Sequence, residues 1–179
     1  MQALSPNTVY AFAALAFAAA GAIAGVRSRS IPNFISASGI GAGLLLHLAL
    51  GGWRSLLSAA LAGTLAGGMF LLFYLAGGMG ASDVKLMAAV CCLAGLAAVA
   101  QILVGAALAG GLAGLLVALF RRCTKATLAN VGRLPAHHGS AGPRPHPELN
   151  LHHPRALRLP YGLAIAAGAA TSVCNVFAR

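Results

Sequence analysis

The sequence predicts an all-α integral membrane protein, six transmembrane helices in a compact, Gly/Ala-rich bundle that forms a single domain over residues 1–179. Three observations carry this expectation. Of the 179 residues 59% are hydrophobic and 8% charged, whereas a soluble domain carries about 25% charged residues. Mean hydropathy is +0.85, and apolar runs recur at lengths near the roughly 20 residues that cross a bilayer. Intrinsic disorder, a collagen-like repeat and a disulfide scaffold are excluded by the same composition.

The runs fall at about Thr8 to Val26, Ile35 to Leu50, Leu56 to Leu75, Leu86 to Ala100, Ile102 to Phe120 and Leu159 to Phe177. Only Gln101 separates the fourth from the fifth. One helix of about 35 residues would overshoot the roughly 30 Å hydrocarbon core, so a tight hairpin is expected there. The first run is not expected to be a cleaved signal, because Arg27 and Arg29 follow it and nothing basic precedes it. Gly21-x-x-x-Gly25, Gly63-x-x-x-Gly67 and Gly110-x-x-x-Gly114 allow close helix contact. Packing within the bundle is the favoured use of these glycines, and a homodimer through one of them is the alternative.

Charge orients the bundle. Twelve Lys and Arg stand against two acids, Asp83 and Glu148. With six spans, one set of loops holds Arg27, Arg29, Lys85, Arg121, Arg122, Lys125, Arg133, Arg144, Arg155 and Arg158, and the other holds Arg54 and Arg179. Basic residues accumulate on the cytoplasmic side, so both termini are expected outside the cytoplasm. Membrane lipid is the partner of such a basic surface, and no nucleic acid is expected. The 121–158 segment, with His137, His138, His146, His152 and His153 among its prolines, reads as a solvated cytoplasmic loop. Its spacing offers no preformed metal geometry, and Cys91, Cys92, Cys123 and Cys174 form no paired C-x-x-C sites, so neither metal nor other cofactor is expected. His47 lies within a span and reads as a satisfied core or near-interface imidazole.

Three polar islands remain, all on the expected cytoplasmic boundary. Arg27-Ser28-Arg29-Ser30-Ile31-Pro32-Asn33 follows the first span, with Pro32 setting a rigid turn. Gly77-Gly78-Met79-Gly80-Ala81-Ser82-Asp83-Val84-Lys85-Leu86 contains the chain's one Asp. Glycines there let the backbone break its helix, and a carboxylate at a span's end can be wet enough to ionise. The plainer reading makes Asp83 a helix cap. Leu159-Pro160-Tyr161-Gly162 starts the last span, with Pro in the first turn and Tyr at the interface.

In order, spacing and topological side these three segments resemble the signature blocks of the type IV prepilin peptidases, specifically the short Flp/Tad-type members, which are membrane aspartic endopeptidases. The resemblance covers nearly the whole chain. It implies a six-helix protein of the bacterial inner membrane that cuts the basic leader from prepilin subunits, Flp-type pilins or pseudopilins, at the cytoplasmic face. Larger relatives add a domain with paired C-x-x-C sites and methylate the new N-terminus; this chain has no such insert. By the same resemblance Asp83 is a catalytic carboxylate, with Gly78 and Gly80 shaping the helix break, Ser82 and Lys85 beside it, and Pro32, Asn33, Pro160, Tyr161 and Gly162 framing the site.

Two positions depart from the pattern. Family members carry a second catalytic Asp two residues before the first Arg of the I-P-N block, where this chain has Gly25, and Ser82 stands where G-x-G-D has Gly. Aspartic proteolysis needs one carboxylate to deprotonate water and a protonated one to polarise the carbonyl. Asp83 cannot do both at once. Glu148 could replace the partner only if the Pro-rich loop folded back onto Asp83. The expectation is therefore a weakened peptidase or a pseudoenzyme. A pilin-binding assembly factor without hydrolysis, and a small channel or carrier, are the rivals; the near absence of ionisable residues within the spans weighs against transport.

Overall fold

The computed structural model describes residues 5–28, 32–76, 78–120 and 161–177. Five helices fill them: α1 (Pro6–Ser28), α2 (Asn33–Leu75), α3 (Ala81–Ala94), α4 (Leu96–Phe120) and α5 (Tyr161–Phe177). The 121–158 loop, Glu148 and Pro160 lie outside the described residues.

Local chemistry sets the helix ends. Ser5 caps α1: its hydroxyl lies 3.4 Å from the Thr8 backbone N–H and 2.8 Å from the Thr8 hydroxyl. Pro6 then occupies the first turn, where a missing N–H costs nothing. Helix α2 begins after Pro32, whose ψ of 135° keeps it outside the helix. At 43 residues a straight α2 would run about 65 Å, twice the hydrocarbon thickness. Gly52 prevents that, with φ 68° and ψ −165° inside the helix. Its two arms return along α3. On the first arm, a Cβ at Gly39 would meet Ala89 at 3.1 Å and one at Gly43 the Cys92 and Leu93 backbone at 3.0 Å. On the second, a Cβ at Gly63 would meet Ala88 and Cys92 at 3.1 Å and one at Gly67 the Ala88 methyl at 3.0 Å. These glycines bring both arms to backbone distance from α3.

Helix α3 is consequently the centre of the bundle. Leu86, Met87, Val90, Cys91 and Leu93 are fully buried, surrounded by Ala14 and Ala18 of α1, Ala62, Ala66 and Phe70 of α2, Ile102 and Ala106 of α4, and Ile165 and Ala169 of α5. Alanines dominate the outer ring because small side chains let four helices crowd one. The large apolar side chains point outward instead: Leu57, Leu61 and Leu65 of α2 and Leu108, Leu112 and Phe120 of α4 are all exposed. Such a surface suits hydrocarbon and not water.

The all-helical architecture is as expected, but six spans are not supported. Among the described residues three helices are long and apolar enough to cross a membrane: Pro6–Arg27, Asn33–Leu75 and Leu96–Val117. The expected second and third spans both fall within α2. Helix α3 has 14 residues, about 21 Å, too short to cross, and Tyr161–Val176 is a shorter apolar helix. The expected hairpin at Gln101 is also corrected. The turn between α3 and α4 is made at Gly95, at φ 80°, a left-handed conformation that glycine adopts freely. Gln101 sits inside α4.

Candidate functional site

The α2–α3 connection carries Asp83. Helix α2 ends with the Ala76 N–H bonded to Leu72 O at 3.0 Å, and the Gly78 N–H reaches back to Phe73 O at 2.9 Å. Met79, a residue the sequence reading passed over, turns inward into the core at 8% exposure and anchors the connection. Gly80, extended at φ −84° and ψ 150°, is the N-cap of α3. Asp83 is then the third helical residue. Its N–H bonds Gly80 O at 3.1 Å, and its carboxylate takes the Gly80 N–H in return. This is the carboxylate arm of a capping box, on a glycine cap with no hydroxyl to supply the other arm. The cap is therefore Gly80, and Asp83, expected to cap a helix starting at Val84, lies instead inside the first turn of a helix that starts at Ala81.

Capping does not exhaust what the side chain can do. Burial pushes the Asp83 carboxyl up to about 6, against the opposing pull of the Gly80 N–H. Desolvation wins because, among the described residues, the group has one hydrogen-bonded backbone donor and no cation to offset it. A carboxyl in that range exchanges its proton near neutral pH.

The residues around it come from three separate stretches. Lys85 Nζ donates to Asn33 Oδ1 at 3.0 Å, tying the start of α3 to the start of α2. The Tyr161 phenol, at the start of α5, lies close enough to Asp83 to feel its charge. Beside it, a Cβ at Gly162 would meet Ala22 Cα at 3.1 Å, so α5 abuts α1 through bare backbone. Gly110 of α4 faces Tyr161 and Ala164.

Helix α1 meets α3 at Gly21, where a Cβ would collide with Leu86, and Phe17 and Ala89 both flank Gly39 of α2. Gly25 and Ser82 are half-buried, whereas Gly78, Pro32, Asn33 and Lys85 are exposed. Among the described residues no group of three His, Cys, Asp or Glu side chains is placed to hold a metal ion.

The pattern of the type IV leader peptidase family matches residues 12–115, more than half of the chain. The chain belongs to the type IV leader peptidase family. No curated protein and no solved structure matches it. Family membership and the apolar helices together make this leader peptidase homologue a membrane protein. The matched stretch runs from α1 into α4 and includes Gly25, Pro32, Asn33 and Asp83; Pro160, Tyr161 and Gly162 lie beyond it.

Proposed function

We propose that this leader peptidase homologue engages prepilin leaders at the Asp83 end of the bundle, with Asp83 as its acid–base carboxylate and its cleavage weakened or lost at Gly25. The single observation that carries the reading is a half-buried carboxyl at the start of α3, Asp83, raised to about 6 by burial, in a chain of this family whose sequence has Gly25 where the resemblance expects a second acid. The resemblance of the three polar islands supports assigning Pro32, Asn33, Gly78, Gly80, Ser82, Lys85, Pro160, Tyr161 and Gly162 to the rim of the site. The charge asymmetry of the loops supports a cytoplasmic face in a bacterial inner membrane, and the Flp/Tad type of substrate follows from the resemblance alone.

In this proposal Asp83, exchanging its proton near pH 6, serves either as base toward water or as acid toward the carbonyl. Peptide hydrolysis needs both roles in the same transition state. With Gly25 where the resemblance expects the second acid, one is unfilled. Loss of general acid or base assistance lowers rate by about 10² to 10⁴. An ionised Asp83 still attracts a basic leader, so binding outlasts catalysis.

The test uses the purified full chain in lipid with a prepilin substrate, scored for leader cleavage. Wild type is expected to cut slowly or not at all, and Gly25→Asp to raise the rate by about 10² or more. Asp83→Ala on the Gly25→Asp background should abolish the gain. If wild type cuts well and Asp83→Ala cuts equally well, the assignment of Asp83 fails. If neither wild type nor Gly25→Asp cuts but both retain the prepilin, the non-hydrolytic assembly factor takes its place.

A further inference from the structure

Gly51 and Gly52 carry the break of α2, at the end of the bundle remote from Asp83. Gly52 is non-helical, at φ 68° and ψ −165°, so a second helical arm starts at Trp53. The first N–H groups of a helix have no acceptor within it, and its dipole favours an anion there. That alone assigns nothing. The second observation is Tyr10 of α1, which is 5% exposed and whose buried hydroxyl has no hydrogen-bond partner. It is aimed at the break. A Cβ at Gly51 would stand 3.3 Å from Tyr10 Oη and 2.6 Å from Ser55 Oγ, and one at Gly52 would meet nothing within 4 Å. Both glycines are exposed, so the two hydroxyls lie against bare surface backbone. His47 Nε2 faces the Leu93 carbonyl at 3.1 Å and carries the ring proton, which leaves Nδ1 to accept from Ser55 Oγ at 2.7 Å. The serine proton is engaged, and the Tyr10 proton is not.

Depth and charge say what acceptor fits. The second arm runs from Trp53 to Leu75, about 34 Å, slightly more than the roughly 30 Å hydrocarbon core. With the α2–α3 connection at one interface, Trp53 and Arg54 reach the other. Both are exposed, Trp53 at 66%, and Trp and Arg are residues that sit at headgroup level. Asp83 is the one acid among the described residues and stands at the far end. No carboxylate described here therefore neutralises Arg54 or meets the ammonium of a zwitterionic lipid. An anionic phospholipid supplies what is missing: phosphate oxygens for the Tyr10 O–H, the backbone N–H groups and the guanidinium, above acyl chains that run along the exposed Leu57, Leu61 and Leu65 of α2.

We propose that the Gly51–Gly52 break holds the headgroup phosphate of one anionic phospholipid, with Arg54 as its counter-ion and the Tyr10 hydroxyl and the first N–H groups of the second arm as its donors. This site is separate from the Asp83 end and does not depend on the peptidase reading.

Trp53 is the chain's one tryptophan, so its fluorescence reads the site. The full chain is reconstituted in vesicles of mixed phosphatidylcholine and phosphatidylglycerol, in which one lipid or the other carries brominated, quenching acyl chains. Brominated phosphatidylglycerol is expected to quench Trp53 at about fivefold lower mole fraction than brominated phosphatidylcholine. Arg54→Gln and Tyr10→Phe should each reduce that preference by about twofold or more, with helical circular dichroism unchanged. Tyr10→Phe keeps the ring on His47 and removes only the hydroxyl. Arg27→Gln makes the same change of charge at the other end and should leave the preference intact. Equal quenching by the two lipids overturns the site. So does a preference that survives Tyr10→Phe or that falls as far with Arg27→Gln, because it is then the general attraction of a basic protein for anionic lipid. A preference abolished by excess soluble glycerol phosphate also overturns it, by showing that the break takes a free phosphate ester and not a lipid.

Discussion

The two ends of the bundle are built on opposite plans. At the Asp83 end, Pro32, Asn33, Gly78 and Lys85 are exposed, and among the described residues the first two islands are joined by one hydrogen bond, from Lys85 to Asn33. At the other end, among the described residues, a cluster of polar contacts ties the elements together. The Gly52 break of α2 and the Gly95 turn between α3 and α4 meet there, and His47 joins them. Its Nε2 lies 3.1 Å from the Leu93 carbonyl and its Nδ1 2.7 Å from the Ser55 hydroxyl. A carbonyl only accepts, so Nε2 carries the proton and Nδ1 of the neutral ring accepts from Ser55. Tyr10 stacks on the ring with centroids 3.8 Å apart, and the Leu96 N–H approaches the Ser58 hydroxyl at 3.3 Å. Order is concentrated where the chain must reverse direction. Among the described residues the Asp83 end is held by fewer bonds, which suits the proposed role of accommodating a partner.

The strongest way to break this contrast is to substitute one glycine at each end. A Cβ at Gly95 would sit 2.9 Å from His47 Cε1, at φ 80°. The ring is held by two hydrogen bonds and a stacked tyrosine, so it cannot move aside cheaply. Left-handed backbone costs an alanine about 1–2 kcal/mol and overpacking another 1–3 kcal/mol. Gly95→Ala should therefore lower stability by about 2–4 kcal/mol in denaturant unfolding in detergent. At Gly80 the conformation is ordinary, and a Cβ would lie 3.3 Å from Asp83 Oδ2. Gly80→Ala should cost under about 1 kcal/mol. Equal losses would mean the two ends are equally rigid.

Why Gly95 escaped the sequence reading is itself physical. Ala94-Gly95-Leu96 sits inside an apolar run, so hydropathy shows no interruption, whereas Gln101 shows one. That polarity is absorbed by Thr171 and Asn175, seventy or more residues away in sequence, which a one-dimensional profile cannot anticipate. The same limit applies to the span count, since hydropathy does not show that α3 has 14 residues. The polar islands were legible for the converse reason. Gly, Pro and charge at a membrane boundary stand out against Ala and Leu. Their convergence was visible only as a consequence of an assumed topology. The hydrogen bond from Lys85 to Asn33 links the first two, and the charge of Asp83 is felt at Tyr161 of the third.

A smaller effect sharpens the comparison through His47. His47→Ala would leave the buried Leu93 carbonyl without its donor and open space beside Tyr10, whose hydroxyl already lacks a hydrogen-bond partner. An unmet buried acceptor costs about 1–3 kcal/mol. The variant should unfold at lower denaturant by that amount, and Ser55→Ala by less, because Nδ1 loses one donor while Nε2 keeps its acceptor. A loss for Ser55→Ala as large as that for His47→Ala would place the weight of the joint on the arm-to-arm contact instead of on α3.

At the Asp83 end the expected effect depends on pH. The carboxyl is raised from its ordinary value to about 6 by burial, so the folded state holds its proton more tightly than the unfolded chain does. Above pH 6 the buried charge opposes folding, and below about pH 4 both states are protonated and the opposition vanishes. Asp83→Asn mimics the protonated form. It should therefore melt above wild type at pH 8, and the difference should close as pH falls from 6 to 4. A difference that instead grows on acidification would mean that the cap from Gly80 outweighs burial and the carboxyl is held below its ordinary value.

The smallest effect belongs to the one bond between the islands. Lys85 and Asn33 are both exposed, so water competes for each partner and the ordering of a long side chain offsets much of the gain. In a double-mutant cycle with Lys85→Ala and Asn33→Ala the coupling should be under about 1 kcal/mol. Such a weak tie keeps the first and second islands near one another while allowing them to part. A coupling above about 2 kcal/mol would contradict that, because it would give the Asp83 end a fixed joint comparable with the one His47 makes, and the contrast between a tied end and an open end would be lost.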